Sequence, residues 1–581
     1  MADGREPRLF STRSLYQLCV AAVVDRFSTY KPYLVDLPKS VRFDIYYQLY
    51  RERRLCILGT ELSNLETFSK MLKVTNRRLH LLRIFQAPMD HKIKISRQLV
   101  ISYNMCYFQA KDSPSPQDKL INLGLRLGGF LSDAGWYSES KEVLFSCKQL
   151  CLAHNQSPKD WCRTLDCCHK LLHAQAAYCD FAGAKETYIL AMEMIEKLKS
   201  KQYNNSNHAA LFAEFSVLYY IRSEYNEAYR WSIEALRQLK PSLPAGIIVD
   251  VLRQAAKSCV VKREFQKAGL LIKEAVYLAR EVFDTDHPKY SDVLIDYGFF
   301  LLNFDSISNS VTVYKTALDI RRTIFGRTNL HVALAHEDLA YALYVHEYSS
   351  GRFDDASDHA GVAIDIMERH LPPNHLMLAS ARRIKALILE EIAIDNASTP
   401  LSEQNLLLKS ECLHLSALEM SKTAFGERNV QTAKHYGNLG RLYQSMRKFQ
   451  EAEAMHLKAI DIKEELLGLD DYEVGLSIGH LASLYNFHMN RYRDAEKLYH
   501  RSIAISLKLF GKGYSGLEYD YRGLLHVYNK LDDYEKISEY TDILNHWKEL
   551  RDKHAQSEEP PIDVQKRPQP IANVMNVFFS M

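Results

Sequence analysis

The chain has 581 residues, of which 47% are hydrophobic and 25% charged, and its formal net charge is +3. This length exceeds one ordinary globular core, so several domains or a growing repeat array are expected. The near-neutral charge argues against nucleic acid as a bulk electrostatic partner. The N-terminal residues do not have the pattern of a secretory signal, and apolar runs stay below membrane-spanning length. We therefore expect a cytoplasmic and nuclear protein, without membrane insertion, whose 11 cysteines are reduced thiols.

The first predicted helix begins after Ser14, which is a good N-cap residue. Leu15, Cys19 and Val23 follow at spacings of four, with Leu18 beside them, so their side chains share one helix face. The pattern resembles the BC box, through which substrate receptors bind Elongin C. The alternative interpretation is a helix that packs this face against its own core.

A second short motif follows, in which Leu37 and Pro38 precede Val41 and Ile45. It resembles the cullin-2 box. Either motif alone is a weak signal, because short apolar helices are common. Both motifs in this order, ahead of a repeat array, predict a ubiquitin-ligase docking region within an N-terminal helical domain at residues 1–110.

The chain repeats itself over residues 119–550. An aromatic or large apolar residue is followed three positions later by Ala or Ser, and seven positions after that by another small residue. Small residues at this spacing let two helices approach closely, which predicts stacked helix pairs. We expect an all-α fold with about nine pairs, whose second helices carry this pattern at Tyr137, Phe181, Tyr225, Phe265, Ile307, Phe353, Leu407, Phe449 and Tyr492.

The clearest repeat resembles the tetratricopeptide (TPR) signature. Leu439, Gly440 and Tyr443 match its first helix, and Ala452 matches its second. A period near 42 residues also resembles the repeats of kinesin light chains. A glycine after a large apolar residue is expected to end the second helix of several repeats, where a left-handed conformation is needed; these positions are Gly326, Gly426, Gly468 and Gly511, with Asp284 in the same place.

The repeat register also predicts a peptide-binding groove, lined by the first helix of each pair. Polar residues recur twelve positions after four of these five markers, the exception being Gly523 after Gly511, with further candidates three positions later and beside them. The central candidates are acidic and aromatic, which suits a cationic peptide side chain such as Arg: Asp296, Phe299, Glu337, Asp338 and Tyr341. The later candidates suit a peptide carboxylate: Lys434, Asn438, Arg441 and His480. The alternative is that all nine are simply solvated surface residues.

Cysteines and histidines crowd together between residues 147 and 179. Cys147, Cys151 and His154 have spacings that a helical metal site could use, as do His169 and His173. We favour small buried thiols at helix-packing positions, and we expect neither a metal nor a cofactor. The sequence contains no phosphate-binding glycine loop and no nucleophile motif, so we expect a non-catalytic protein.

Together, the docking boxes and long-period repeats resemble a family of amyloid-binding TPR proteins that serve as substrate receptors of cullin-2–Elongin B/C ubiquitin ligases. The resemblance implies recognition of C-terminal degrons with an Arg-x-x-Gly core. It also implies association with microtubules and with the cytoplasmic tail of amyloid precursor protein, and a homodimer. The remaining alternative is a kinesin-light-chain-like cargo adaptor without a ligase role. Residues 551–581 are expected to form a disordered tail, because they are polar and rich in proline.

Overall fold

A computed structural model describes residues 14–111, 117–203, 207–348, 350–396, 399–556 and 560–581. Throughout these residues the regular elements are helices, which confirms the all-α expectation. None of the described helices is both long and apolar enough to cross a bilayer. The chain divides into two compact units.

The first unit contains the described residues up to Ala174, together with Thr323–Thr328. The boundary between the two compact units therefore falls inside the repeat array. Two short 3₁₀ segments, Lys31–Asp36 and Thr75–Arg77, interrupt its helices. The helices are α1 (Leu15–Asp25), α2 (Phe27–Tyr30), α3 (Lys39–Arg51), α4 (Leu55–Leu62), α5 (Leu65–Met71), α6 (Arg78–Asp90), α7 (Ile95–Ala110), α8 (Asp118–Asp133), α9 (Tyr137–Ala153) and α10 (Pro158–Ala177), the last of which ends in the second unit.

The second unit contains the remaining repeats. Its helices are α11 (Phe181–Ser200), α12 (Ala209–Ile221), α13 (Tyr225–Arg237), α14 (Ala245–Val261), α15 (Phe265–Phe283), α16 (Pro288–Asn303), α17 (Ile307–Phe325), α18 (Leu330–His346), α19 (Asp354–His370), α20 (Met377–Asn396), α21 (Pro400–Phe425), α22 (Val430–Ser445), α23 (Phe449–Leu467), α24 (Tyr472–Phe487), α25 (Tyr492–Phe510), α26 (Leu517–Lys530), α27 (Tyr534–Gln556) and α28 (Ile571–Ser580). The last three residues of α17 belong to the first unit.

The small residues lie where the helices of a pair approach most closely. Ser140 and Ser310 are fully buried, and their hydroxyls donate to the carbonyl oxygens of Gly128 and Gly298 on the preceding helix, at 2.7 and 2.9 Å. Ala452 occupies the same place without a hydroxyl and is also fully buried. A larger side chain would push the paired helices apart, so the predicted hairpin contact is confirmed.

The glycine markers end their helices as expected. Gly326, Gly426, Gly468 and Gly511 have φ angles of 71°, 83°, 91° and 80°, a region that L side chains rarely adopt. Asp284 takes the same conformation, with a φ of 66°. Each marker therefore reverses the chain at an equivalent point, which keeps the register of the repeats constant.

The second unit also makes contacts between successive turns of its superhelix. Asn429 donates to the carbonyl oxygen of Arg222 at 2.9 Å, across 207 residues of sequence. Further along, the backbone N–H of Ser515 donates to Asp305 at 2.9 Å, across 210 residues. With a period near 42, this constant offset means that about five repeats complete one turn.

Two features differ from the sequence expectation. The helices α26 and α27 form a tenth pair that the repeat pattern missed, because α27 carries Ile537 and Leu544 at the positions where the pattern has small residues. The expected disordered tail instead contains α28, which buries Val574 and Phe578. Polar residues extend this attachment, since Arg280 donates to the carbonyl oxygen of Asp563 at 3.0 Å. The amino-acid composition of the tail contains no information on such long-range contacts, so the prediction based on it was a disordered segment.

The close approach of α22 and α23 can be tested at two glycines of α22. A Cβ on Gly440 would lie 2.8 Å from the buried His456 ring, whereas one on Gly437 would meet its nearest neighbour at 3.8 Å. Both alanine variants gain about 1 kcal/mol of helix propensity. We expect Gly440→Ala to be less stable than Gly437→Ala by about 1–3 kcal/mol, measured by urea denaturation followed by circular dichroism. Equal stabilities would contradict the tight packing.

Candidate functional site

The N-terminal helix α1 is fixed by a capping box. The Ser14 hydroxyl accepts from the backbone N–H of Gln17 at 3.2 Å, and the Gln17 side chain accepts from the Ser14 N–H at 3.0 Å. These bonds satisfy N–H groups that a helix start otherwise leaves unpaired. The first turn, which carries the start of the BC-box motif, is therefore a defined helical surface.

The BC-box side chains point mainly outward. Leu15 is 78% exposed and Leu18 is 49% exposed, and Cys19 is also exposed, while Val23 is half-buried. A different stripe of the same helix, which includes Val20 and Val24, faces the core. Because the helix is anchored by other residues, packing within this unit does not account for the apolar motif residues.

Polar contacts join α1 to the helices that follow. The Tyr16 hydroxyl donates to Asp44 on α3 at 2.7 Å, and Asp44 forms an ion pair with Arg77 at 2.5 Å. At the other end of α1, Arg54 donates to the carbonyl oxygen of Val24 at 2.9 Å. These contacts fix α1 relative to α3, so the two helices that carry the predicted motifs have a defined position relative to each other.

The cullin-2-box residues divide between surface and core. Pro38 is exposed at the start of α3, and Leu37 and Val41 are half-buried. Ile45 is only 1% exposed, so the expectation that it contacts a partner is not supported; it belongs to the core of the first unit because α3 buries that face. The preceding 3₁₀ segment instead exposes Tyr33 and Val35 at 67% and 63%, which periodicity could not identify because the segment is not α-helical.

In the second unit, the predicted groove residues face a shared inner surface. The Tyr344 hydroxyl accepts from Arg441 at 3.1 Å, although 97 residues separate them. Burial raises the pKa of Tyr220 far above its ordinary value, and the negative charges of Asp296 and Asp338 add to this rise. Side chains from α12, α16, α18 and α22 therefore act on one another across the inside of the superhelix.

Asp296 is already neutralised. It is 4% exposed and forms ion pairs with Arg253 at 2.7 Å and Lys257 at 3.2 Å. The internal register predicted its inward position, but it could not reveal the two cations, which come from the preceding repeat. Asp296 is thus better suited to positioning these cations than to binding a peptide cation.

Glu337 and Asp338 differ from Asp296 in their ion pairing. Within the described residues neither carboxylate forms an ion pair, although both are half-buried. Burial raises the pKa of Glu337 to about 7, and the negative charge of Asp338 adds to the shift. Burial also raises the pKa of Asp338 to about 6, although Arg321 and Lys257 oppose it. A bound cation would relieve this cost, because it would stabilise the ionised forms.

An aromatic surface and one cation lie next to this acid pair. The Arg383 guanidinium lies 5.2 Å from the centroid of the Tyr341 ring, and its positive charge also acts on Glu337. Within the described chain Arg383 has no ion-pair partner. Phe299 packs edge-on against Tyr220, with 6.4 Å between ring centroids. Sequence reasoning missed Arg383 because it lies outside the twelve-residue register.

The residues predicted to bind a carboxylate are mostly committed to other contacts. Lys434 pairs with Glu473 at 2.9 Å, and Arg441 pairs with Glu390 at 3.1 Å. Burial lowers the pKa of His480 well below its ordinary range, so this imidazole is neutral at physiological pH. Asn438 is half-buried. The expected carboxylate site is therefore not a set of free cations, and Arg383 is a better candidate.

The cysteine cluster of the first unit is compact. The sulfur atoms of Cys147, Cys151 and Cys167 lie within 4.8 Å of one another and are fully buried. The Cys147 thiol lies 3.5 Å from the carbonyl oxygen of Ile121, and that of Cys167 lies 3.6 Å from the carbonyl oxygen of Leu144. The predicted histidines are not part of this group. These hydrogen bonds agree with thiols packed between helices.

The helix pairs and their polar inner surface define a TPR-repeat protein. The family profile described as tetratricopeptide repeat matches residues 432–473 and 474–513. The chain belongs to the family of amyloid protein-binding protein 2. The mouse and rat members are each 53% identical to it over 568 residues, which cover 97% of this chain and 96% of each relative.

Solved structures with similar helix arrangements have low sequence identity. A Rap protein complexed with Competence and Sporulation Factor is 13% identical, with a TM-score of 0.48, and the match covers 67% of this chain and 99% of that one. A putative kinesin light chain from Podosopora anserina, with nearly identical TPR-like repeats, is 15% identical, with a TM-score of 0.28, over 38% of this chain and 97% of that one.

The unpaired acid pair predicts an unusual pH dependence. Because the folded pKa of Glu337 is raised, its contribution to stability is fully present below the unfolded value and is lost as the pH rises through about 7. We expect Glu337→Gln to stabilise the fold by about 2–3 kcal/mol more at pH 8 than at pH 4, measured by denaturation at both pH values. The exposed Glu419→Gln is the matched control; an identical pH profile for both variants would contradict the interpretation.

Proposed function

We propose that this chain is the substrate-recognition subunit of a cullin-2–Elongin B/C ubiquitin ligase. In this role the first unit docks on the ligase, and the inner surface of the second unit binds C-terminal degron peptides. The chain itself supplies no catalytic group, because ubiquitin transfer belongs to the proteins assembled on the cullin.

The outward stripe of α1 is the observation that carries this proposal. An apolar helix face that packed on its own core would bury Leu15 and Leu18, but both are exposed. Exposed apolar side chains at helical spacing on an anchored element suit a helix-in-groove contact, in which a partner buries them. A cargo adaptor without a ligase role gives no reason for this stripe.

The inner surface supports the second half of the proposal. Glu337 and Asp338 lack ion-pair partners within the described residues, and the Tyr341 ring lies close to the free guanidinium of Arg383. A peptide cation can neutralise the acid pair, while Arg383 can receive a terminal carboxylate. A C-terminal segment with an Arg-x-x-Gly core carries both groups.

The name of the mouse and rat relatives adds one partner class. They are called amyloid protein-binding, so we include the cytoplasmic tail of amyloid precursor protein among the proposed ligands. Microtubule association, a homodimer and a cytoplasmic and nuclear location are further parts of the proposal. A peptide-binding inner surface is compatible with all of them.

The docking half can be tested by Leu15→Ala combined with Cys19→Ala. Loss of these exposed apolar contacts should weaken binding to purified Elongin B/C more than tenfold, since the leucine side chain alone contributes about 2 kcal/mol when a partner buries it. The measurement is isothermal titration calorimetry. Because neither side chain supports the core, helix content should not change.

Two further variants separate docking from folding. Leu37→Ala with Pro38→Ala should weaken cullin-2 binding but spare Elongin C. Val24→Ala removes a fully buried side chain and should instead lower the stability of the first unit. Elongin binding that survives the Leu15 and Cys19 changes would overturn the receptor role.

The peptide half can be tested with a fluorescent peptide that ends in Arg-Ala-Ala-Gly. Glu337→Gln with Asp338→Asn should weaken its binding about tenfold or more, because the peptide guanidinium loses its charged partners. The measurement is fluorescence anisotropy with the full chain.

A second peptide makes this test specific. Replacing the peptide arginine by alanine should weaken binding to the unmodified chain, but it should add little in the double variant, because the same interaction is already missing. Glu419→Gln is the control variant. Independent, additive losses would show that the acid pair does not contact the arginine.

A further inference from the structure

The second unit is closed along its side. We use the name seam for the contacts between residues 181–305 and the next superhelical turn at residues 425–551. Most of its polar contacts link turns and helix starts, and each aromatic contact joins the first residue of one helix to the last residue of another. The pairs are Phe181 with Phe425, Arg222 with Asn429, Ser223 with Gln431, Arg263 with Asp471, Phe265 with Phe510, and Asp305 with Ser515 and Arg551.

The seam has a regular register. Gln431 donates to the Ser223 hydroxyl at 3.0 Å across 208 residues, close to the offsets of 207 and 210 found on either side. Asp305 accepts from Arg551 at 2.7 Å and is largely buried there. The contacts repeat at two offsets, 207–210 and 244–246 residues, so neighbouring turns meet at several points along an edge and not at one accidental point.

The seam restricts how a ligand reaches the inner surface. Since the turns touch, a peptide cannot enter from the side without breaking several contacts at once. It can enter from an end of the superhelix. A chain terminus can pass through this opening as a single extended strand. An internal segment must instead enter as a loop with two strands side by side, which requires an opening about 5 Å wider than a single strand does.

We propose that the seam makes this surface selective for chain ends. The inference rests on the proposed peptide-binding function and adds the reason for terminal specificity: lateral closure excludes internal copies of the same sequence. The seam residues Gln431 and Arg551 would then determine specificity without touching the peptide, because they act by keeping the turns together.

The test compares three peptides on the full chain by fluorescence anisotropy. The first ends in a free Arg-Ala-Ala-Gly carboxylate, and the second carries the same sequence as a C-terminal amide. In the third, the sequence lies between two small folded domains. Comparing the third with the second removes the effect of the missing carboxylate, so only access differs.

The seam is weakened by Gln431→Ala with Arg551→Ala, which disturbs neither a helix cap nor a left-handed residue. The matched control changes Gln444 and Lys548 to alanine on the same two helices, α22 and α27, outside the seam. Circular dichroism checks that both variants fold.

We expect the intact chain and the control to bind the flanked peptide at least about tenfold more weakly than the amide, and the seam variant to remove most of this difference. Equal binding of flanked and amide peptides by the intact chain would overturn the inference, as would a seam variant that rejects the flanked peptide as strongly as the intact chain does. In either case the proposed function survives if the free peptide still binds and requires Glu337.

Two remaining outcomes are also decisive. If the peptide amide does not bind at all, the association rate of the free-carboxylate peptide is compared between the seam variant and the intact chain. A faster rate in the seam variant supports the inference that the side is closed, and an unchanged rate overturns that inference. If the free peptide does not bind either, both the proposed function and this inference fail.

Discussion

The close approach of paired helices at small residues is the contact on which the rest of this structure depends. Ser140, Ser310 and Ala452 are buried between helices that a larger side chain would separate. A slight change in this distance would be repeated in every pair and would alter the curvature of the superhelix. The offset of 207 to 210 residues between touching turns depends on that curvature. Packing at a few atoms per repeat therefore determines whether the seam can form.

The carboxylates of the inner surface differ in whether a neighbouring cation balances their charge. Asp296 keeps its two cations from the neighbouring repeat, whereas Glu337 and Asp338 have no equivalent partner within the described residues. Such carboxylates are costly to ionise, since the surrounding protein excludes water without supplying a counter-charge. A site of this kind is less stable when empty at neutral pH, and it gains most from a cationic ligand. Stability and recognition are therefore opposed at the same two side chains.

In the first unit, the residues that anchor the N-terminal helix are separate from the apolar residues that stay exposed. Its N-terminal helix is held by Tyr16 and Arg54, so Leu15 and Leu18 do not have to contribute to its folding. This separation allows apolar residues to remain exposed on a rigid support. An interface built in this way loses little conformational entropy on binding, because the helix is already formed. The buried Ile45 shows the opposite case, in which a motif residue supports the fold from inside.

The sequence by itself determined the helical class, the repeat period, the left-handed positions such as Gly426, and the inward register of Asp296 and Asp338. These features depend on local spacing and backbone conformation, which neighbouring residues control. Only the tertiary structure decided which inward charges are paired, placed Arg383 beside Tyr341, ordered the C-terminal helix, and closed the seam. Those features join residues far apart in the chain, and their geometry arises only when the curvature of many repeats accumulates.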